Sequence, residues 1–315
     1  MDAAFAAQEK KLILRNDCDG MLLFDKKTGI NMLFDEVKVC KPDIAPRHIS
    51  IALTNRCNMS CENCYITHGN IDLEINRIIN WVKELENTGC LSIGLGGGEP
   101  TLWNDLEHLL TFINTTQMAV TLTSNGSADS NLYKWIVKKV NLLRFSIDGL
   151  STTYEKRRNQ NYSEFVNKIC DIREYGNIGL NYLLTEDTVD QLDDFVDVIR
   201  KVKPSEILLI PYLDTSGNIL LSECALKNVN TWIETYNGKL PICCSYSALE
   251  FVSSSILPVQ SINSNTQYRY FCHINVKGQL MRNVFDKNPI AINGSLIEAL
   301  SILGGKHENL ERVWN

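Results

Sequence analysis

The sequence predicts an α/β protein built on a parallel sheet. Two observations carry this. Short apolar runs alternate with stretches of helical periodicity, giving repeated βα units of about 30 residues that imply right-handed crossovers. Each run is apolar almost throughout, as in Leu142-Leu143-Arg144-Phe145-Ser146-Ile147 and Ile207-Leu208-Leu209-Ile210, which suits strands buried on both faces. An open doubly wound sheet and a barrel both fit this order. Six units are too few for a full eight-fold barrel.

In chain order, Leu12 to Leu14 reads as a strand and Asp17-Cys18-Asp19-Gly20 as a turn. Met21 to Phe24 and Ile30 to Phe34 flank a hairpin loop, Asp25 to Gly29. Lys41 to Arg47, with Pro42 and Pro46, is an extended connector. Strands are expected over 49–54, 91–96, 118–124, 142–148, 178–184 and 206–212. Helices are expected near 72–88, 104–115, 130–139, 163–175, 189–201 and 222–236. Beyond about residue 237, Gly238 to Ser255 and Tyr268 to Phe285 read as strands, with a turn at Lys277-Gly278. Ser295 to Leu303 reads as a terminal helix.

A chain of 315 residues, 44% hydrophobic, can bury a sizeable core. Its net charge of −6 speaks against general nucleic-acid binding. No window approaches a transmembrane span, and residues 1–17 lack a signal-peptide apolar core, so a cytoplasmic protein with no membrane partner is expected. Eleven cysteines, an odd count, argue against a disulfide framework in that compartment. Cys18, Cys40, Cys90, Cys170 and Cys224 stand alone and read as packed or surface thiols.

The chemistry concentrates after the first strand of the repeating region. There Cys57, Cys61 and Cys64 follow the spacing Cys-x3-Cys-x2-Cys, with Tyr65 next. Three thiolates on one loop can hold three corners of an iron–sulfur cluster and leave a fourth free. A zinc site would need another ligand, for which His68 is the candidate. Ligands bind at the carboxyl ends of strands in parallel βα folds. Those ends carry Gly96-Gly97-Gly98-Glu99-Pro100, Thr123-Ser124-Asn125-Gly126, Ser146-Ile147-Asp148-Gly149, Leu184-Thr185-Glu186-Asp187 and Ile210-Pro211-Tyr212.

The cysteine loop followed by Gly97-Gly98-Glu99-Pro100 resembles the radical S-adenosylmethionine (SAM) superfamily over roughly residues 47–215. The resemblance implies a partial (β/α)6 TIM-like barrel, with a [4Fe–4S] cluster on Cys57, Cys61 and Cys64. It implies that SAM binds the fourth iron and is cleaved by one electron to a 5′-deoxyadenosyl radical, the hard chemistry belonging to the cofactors. A flavodoxin or ferredoxin would supply the electron. On this resemblance Gly97 and Gly98 bring backbone close to the methionine end of SAM, and Glu99 meets its ammonium. Ser124 and Asn125 match a position that hydrogen-bonds the ribose or carboxylate. Ser146 and Asp148 match a fourth-strand position; a strand-end turn is the bland alternative. Tyr65 lies beside the adenine, and Ile210 and Pro211 form its apolar wall.

Asn55 to Cys61 resembles the branch that includes peptide maturases, many of which carry a C-terminal SPASM or twitch extension with auxiliary iron–sulfur clusters. Cys243, Cys244 and Cys272 are the candidate ligands of an auxiliary cluster, with His273 a further candidate. Phe271 to Leu280 resembles the extension's hairpin. Met281-Arg282 replaces the usual proline and cysteine, and no cysteine follows Cys272. The alternative is a retained fold without metal. Leu12 to Phe34 resembles small leader-recognition domains that add a peptide strand to a sheet edge; a hairpin packed on the barrel is the competing reading.

These readings divide the chain into an N-terminal β hairpin segment with its connector (1–46), a partial barrel (47–236) and a small α+β, twitch-like extension (237–315). The expected function is that of a radical SAM enzyme with oxidoreductase-type chemistry, abstracting hydrogen from a ribosomally made peptide for cross-linking, epimerisation or dehydrogenation. The alternatives are an enzyme acting on a small molecule or cofactor precursor, and a catalytically silent protein that binds a cluster or SAM. Cys18, Tyr212, Glu186 and Asp214 are candidates for quenching or deprotonating a substrate radical.

Overall fold

A computed structural model describes residues 12–64, 66–214, 217–236, 238, 240–244 and 267–305. Tyr65 and much of the 238–255 stretch lie outside the described residues. The chain opens with a three-stranded antiparallel sheet of β1 (Leu12–Asp17), β2 (Gly20–Asp25) and β3 (Asn31–Phe34). The turn between β1 and β2 closes at the pair Asp17 and Gly20. Gly20 has φ +139°, and a Cβ there would sit 2.4 Å from the Phe34 carbonyl oxygen, so no other residue fits.

The main sheet contains β4 (His48–Thr54), β5 (Ser92–Gly97), β6 (Ala119–Ser124), β7 (Leu142–Ile147), β8 (Ile178–Leu184) and β9 (Glu206–Pro211), parallel and in chain order. This is the predicted partial (β/α)6 barrel, and its strands fall where the apolar runs placed them. The helices are α1 (Ile75–Asn87), α2 (Leu106–Ile113), α3 (Ser130–Ile136), α4 (Ser151–Arg158), α5 (Tyr162–Arg173), α6 (Glu186–Val189), α7 (Leu192–Val202) and α8 (Glu223–Thr235). In α1 the Glu74 side chain caps the first turn by accepting from the Asn76 and Arg77 backbone N–H groups. Ile78, Trp81, Val82 and Leu85 then bury one helical face.

The C-terminal strands join this same sheet. β10 (Ile242–Cys244) runs parallel beside β9, and β11 (Phe271–Ile274) runs parallel beside β4. β12 (Gln279–Met281) and β13 (Ile290–Ala291) continue antiparallel beyond β11, and α9 (Leu296–Gly305) follows. The predicted hairpin therefore exists, but it extends the barrel sheet.

The two faces of the parallel strands differ more than their apolar runs suggested. On β4, Ile49, Ile51 and Leu53 belong to the core, whereas His48, Ser50 and Ala52 line an internal cavity. On β7, Leu143, Phe145 and Ile147 are core, whereas Arg144 and Ser146 face the cavity. The strand period of two places every second residue inside the barrel. A polar residue at those positions was the signal that the sheet encloses a site.

The N-terminal sheet closes the amino ends of the strands. Leu22 and Phe24 pack with Leu91 and Ala119. Lys26 Nζ donates to the Thr116 carbonyl, and Asn141 Nδ2 donates to the Lys26 carbonyl. Arg15 is buried with an ion pair to Asp17 and donates to the Ala45 and Gly89 carbonyls. A buried guanidinium is tolerated only with such partners.

Candidate cofactor site

The loop that leaves β4 is clamped at both ends. Thr54 Oγ1 donates to Asp72 at 2.5 Å, and Arg56 forms a two-pronged pair with the same carboxylate at 3.0 and 2.7 Å. Asn55 Oδ1 accepts the Ile71 backbone N–H at 2.7 Å. Between these clamps Cys57, Cys61 and Cys64 line the cavity as free thiols. Burial raises the Cys61 and Cys64 pKa values, so a metal held there would have to displace a proton from each. Cys64 Sγ lies 3.5 Å from His68 Nε2. Among the described residues no three Cys, His, Asp or Glu groups converge on a single-ion site. A cubane spreads its thiolates over separate iron atoms and needs no such convergence. Three free thiols on the wall of a cavity of about 1070 Å3 fit a cluster with one open corner and a cofactor beside it.

The glycine loop after β5 packs on this cysteine loop. The Gly98 N–H donates to the Thr54 carbonyl at 2.7 Å, and the Glu99 N–H donates to the Arg56 carbonyl at 2.8 Å. A Cβ on Gly98 would lie 2.2 Å from the Arg56 oxygen, which makes glycine obligatory for this approach. Gly97 and Gly98 face the cavity. The Glu99 carboxylate does not: it is fully buried and already satisfied. Its Oε1 accepts from Thr101 N, Thr101 Oγ1 and Ser124 Oγ at 3.1, 2.7 and 2.8 Å, and its Oε2 accepts from Asn125 N at 2.7 Å. Glu99 thus ties the β5 loop to the end of β6.

Ser124 Oγ also shares a 2.7 Å hydrogen bond with the Tyr133 hydroxyl. Asn125 lines the cavity, with Nδ2 donating to Asn58 Oδ1 at 3.0 Å and standing 3.8 Å from Cys57 Sγ. Ser146 and Ile210 lie on the cavity wall; Pro211, at the end of β9, is buried. Asp148 lines the cavity in a two-pronged pair with Arg158, at 2.7 and 2.8 Å. The sequence reading missed Arg158 because α4 shows little amphipathic pattern. Its signal was a basic last turn, Lys156-Arg157-Arg158, before Asn159 in the left-handed conformation. Arg158 adds a buried cation that can meet a ligand carboxylate.

Residues 51–199 match the family model described as the Radical SAM superfamily. This stretch is a radical SAM domain. The superfamily uses a [4Fe–4S] cluster and SAM. The chain is 29% identical over 167 residues to the sporulation killing factor maturation protein SkfB of Bacillus subtilis, covering 48% of this chain and 39% of SkfB. It is 25% identical over 161 residues to the Fe-coproporphyrin III synthase of Methanosarcina barkeri, covering 48% of this chain and 40% of that protein. The chain therefore spans about two fifths of the length of these curated relatives. In fold it is similar to Streptococcus suis SuiB bound to its precursor peptide SuiA, with a TM-score of 0.75 at 13% identity over 94% of this chain and 89% of SuiB.

Outside the radical SAM domain, the proposed auxiliary ligands do not come together. Cys243 and Cys244 lie on β10 at one end of the sheet order, and Cys272 lies on β11 beyond β4 at the other. As neighbours on a strand, Cys243 and Cys244 point to opposite faces. Cys272 is wholly buried, and its thiol donates to the Tyr268 carbonyl at 3.2 Å. His273 Nδ1 shares a 2.7 Å hydrogen bond with Ser50 Oγ. The candidate auxiliary ligands Cys243, Cys244 and Cys272 are thus not gathered on one edge of the sheet.

The suggested radical-handling residues also lie elsewhere. Cys18 occupies the β1–β2 turn, at the amino end of the barrel. Glu186 accepts from the backbone N–H and hydroxyl of Ser222, the residue that caps α8. Asp214 accepts from Asn218 in a turn, and Tyr212 is not on the cavity wall.

Proposed function

We propose that the chain is a radical SAM enzyme that abstracts hydrogen from a peptide held in the barrel. The observation that carries this is the internal cavity. It runs from the cysteine loop to the β2–β3 hairpin loop, where Lys26, Lys27 and Thr28 line it. That length accepts an extended polar segment. When bound, the cluster and SAM supply one-electron cleavage and a carbon-centred oxidant. The chain's own residues hold and shield. Cys57, Cys61 and Cys64 would bind the cluster, and Arg158 would meet the SAM carboxylate. Asn125 and the Gly97-Gly98 backbone would orient the rest of SAM, while the core around the barrel excludes water.

The N-terminal sheet supports a peptide substrate. Leu14, Leu23 and Met32 stand in register across its outer face, with Leu14 60% and Met32 48% exposed. An apolar sheet face bounded by the edge strand β3 suits an added peptide strand. SkfB, a maturation protein by name, and the peptide-bound SuiB fold point the same way. The second reading, a small-molecule or cofactor precursor, rests on the match to Fe-coproporphyrin III synthase.

The test is anaerobic reconstitution with iron, sulfide, dithionite and SAM, with and without a short peptide encoded beside the gene. 5′-Deoxyadenosine formation raised at least tenfold by the peptide, together with a mass change in the peptide, is expected. Stimulation by a tetrapyrrole precursor in place of the peptide would overturn the peptide reading.

A further inference from the structure

Strand register divides the cavity into rows. One row holds Thr123, Arg144, Gly179 and Glu206 on β6 to β9. Arg144 and Glu206 form an ion pair across Gly179. A Cβ on Gly179 would lie 3.3 Å from Arg144 Cγ and 3.5 Å from Glu206 Cγ, so the missing side chain makes room for the bridge. The row above, toward the cysteine loop, holds Ser146, Asn181 and Leu208. Higher still lie Asp148, paired with Arg158, and Ile210.

The middle row therefore lies between two ion pairs whose charges cancel. Within it, Asn181 is 92% buried and on the cavity wall, yet its Oδ1 has no hydrogen-bond donor among the described residues. Leaving a buried amide oxygen unpaired costs stability, and such groups persist where function uses them. Ser146 stands beside it, and Leu183, Leu208 and Ile210 supply apolar wall. A neutral acceptor in a charge-balanced, half-apolar chamber selects an uncharged group that carries an N–H. Within that row neither Ser146, Asn181 nor Leu208 offers a counter-ion to a carboxylate or phosphate.

We propose that Asn181 is a substrate-anchoring residue. Its Oδ1 accepts a hydrogen bond from a neutral amide of the substrate, a backbone or side-chain amide N–H, and so fixes the adjacent carbon below the cysteine loop. This deepens the peptide reading and rests on it.

The test uses Asn181→Leu and Asn181→Asp beside the unaltered chain. Thermal stability comes first. A residue kept for packing would lose stability as leucine, whereas an anchor whose acceptor is unpaired should keep or raise the melting temperature. The reconstituted proteins are then given SAM, dithionite and N-acetylglycinamide deuterated at the glycine α-carbon, with deuterated acetate as a charged control. Breaking the C–D bond moves deuterium to the 5′ carbon, where mass spectrometry reads it in 5′-deoxyadenosine. The unaltered chain is expected to take deuterium from the amide and not from acetate. Asn181→Leu should lose that transfer, counted per 5′-deoxyadenosine formed, at least tenfold. Asn181→Asp, which keeps an acceptor, should retain part of it. Equal transfer by Asn181→Leu and the unaltered chain, or a large loss of stability in Asn181→Leu, would overturn the anchor and leave the peptide reading standing. Transfer from no amide by any of the three, with 5′-deoxyadenosine still formed, would overturn both.

Discussion

Glu99 reaches Asn125 across the gap between two strand ends, accepting its backbone N–H at 2.7 Å through a carboxylate that solvent does not touch. Glu99→Gln preserves the shape but turns an NH2 toward groups that are themselves donors. A loss of about 1.5–3 kcal/mol in folding stability is expected, the range for a hydrogen bond to a charged group. Urea denaturation of the metal-free protein measures it. An unchanged midpoint would mean that the carboxylate does not tie the two loops together.

Arg158 and Asp148 form the second such tie, and here a double-mutant cycle is the appropriate measurement. Arg158→Met leaves the Asp148 charge on the cavity wall without its partner and should cost about 3 kcal/mol. Adding Asp148→Asn should recover a substantial part of that loss. Additive effects of the two substitutions would dismiss the coupling.

The glycine-loop motif was legible as a motif, but its mechanics were not. Reading Glu99 as a ligand for an ammonium assumed that a carboxylate at a strand end faces the open mouth. The donors that turn it inward, Ser124 Oγ and the Asn125 N–H, come from the next strand, which sequence spacing does not reveal. The six parallel strands were legible because each carries an apolar outer row. Arg158 was hidden in the run Ser151 to Asn159, which reads as a polar loop until its last turn and left-handed cap are seen. The separation of Cys243 and Cys244 from Cys272 follows from strand order and could not be read from their numbers.

Iron content follows from that strand order. The reconstituted chain should hold about four irons, as for one cubane, and the triple variant Cys57→Ala, Cys61→Ala, Cys64→Ala should hold almost none. Retention of about four irons by the triple variant would reinstate a second cluster site.

His273 gives the fold an acid limit. Burial lowers its pKa to about 4, against an ordinary value of 6.5, so the native state keeps it neutral where the unfolded chain takes up a proton. Its contribution is complete above pH 6.5 and is lost as pH falls toward 4, by about 3 kcal/mol at pH 4. The burial of His48, also lowered to about 4, acts in the same direction. Melting temperature should therefore fall through this window, and His273→Gln should flatten the fall. An acid limb identical in the variant would remove His273 as its source.

The pairing of β4 with β11 has a consequence for biosynthesis. β4 carries the cysteine loop at its carboxyl end, and its outer edge stays open until β11 reaches it; Ser50 meets His273 only across 223 positions of chain. Contacts of such long sequence separation close late. A nascent chain therefore exposes its three thiols well before the strand beneath them is fully paired. Cluster loading would then favour the finished polypeptide over the growing one, and the interval between them is when oxidation of those thiols does most harm.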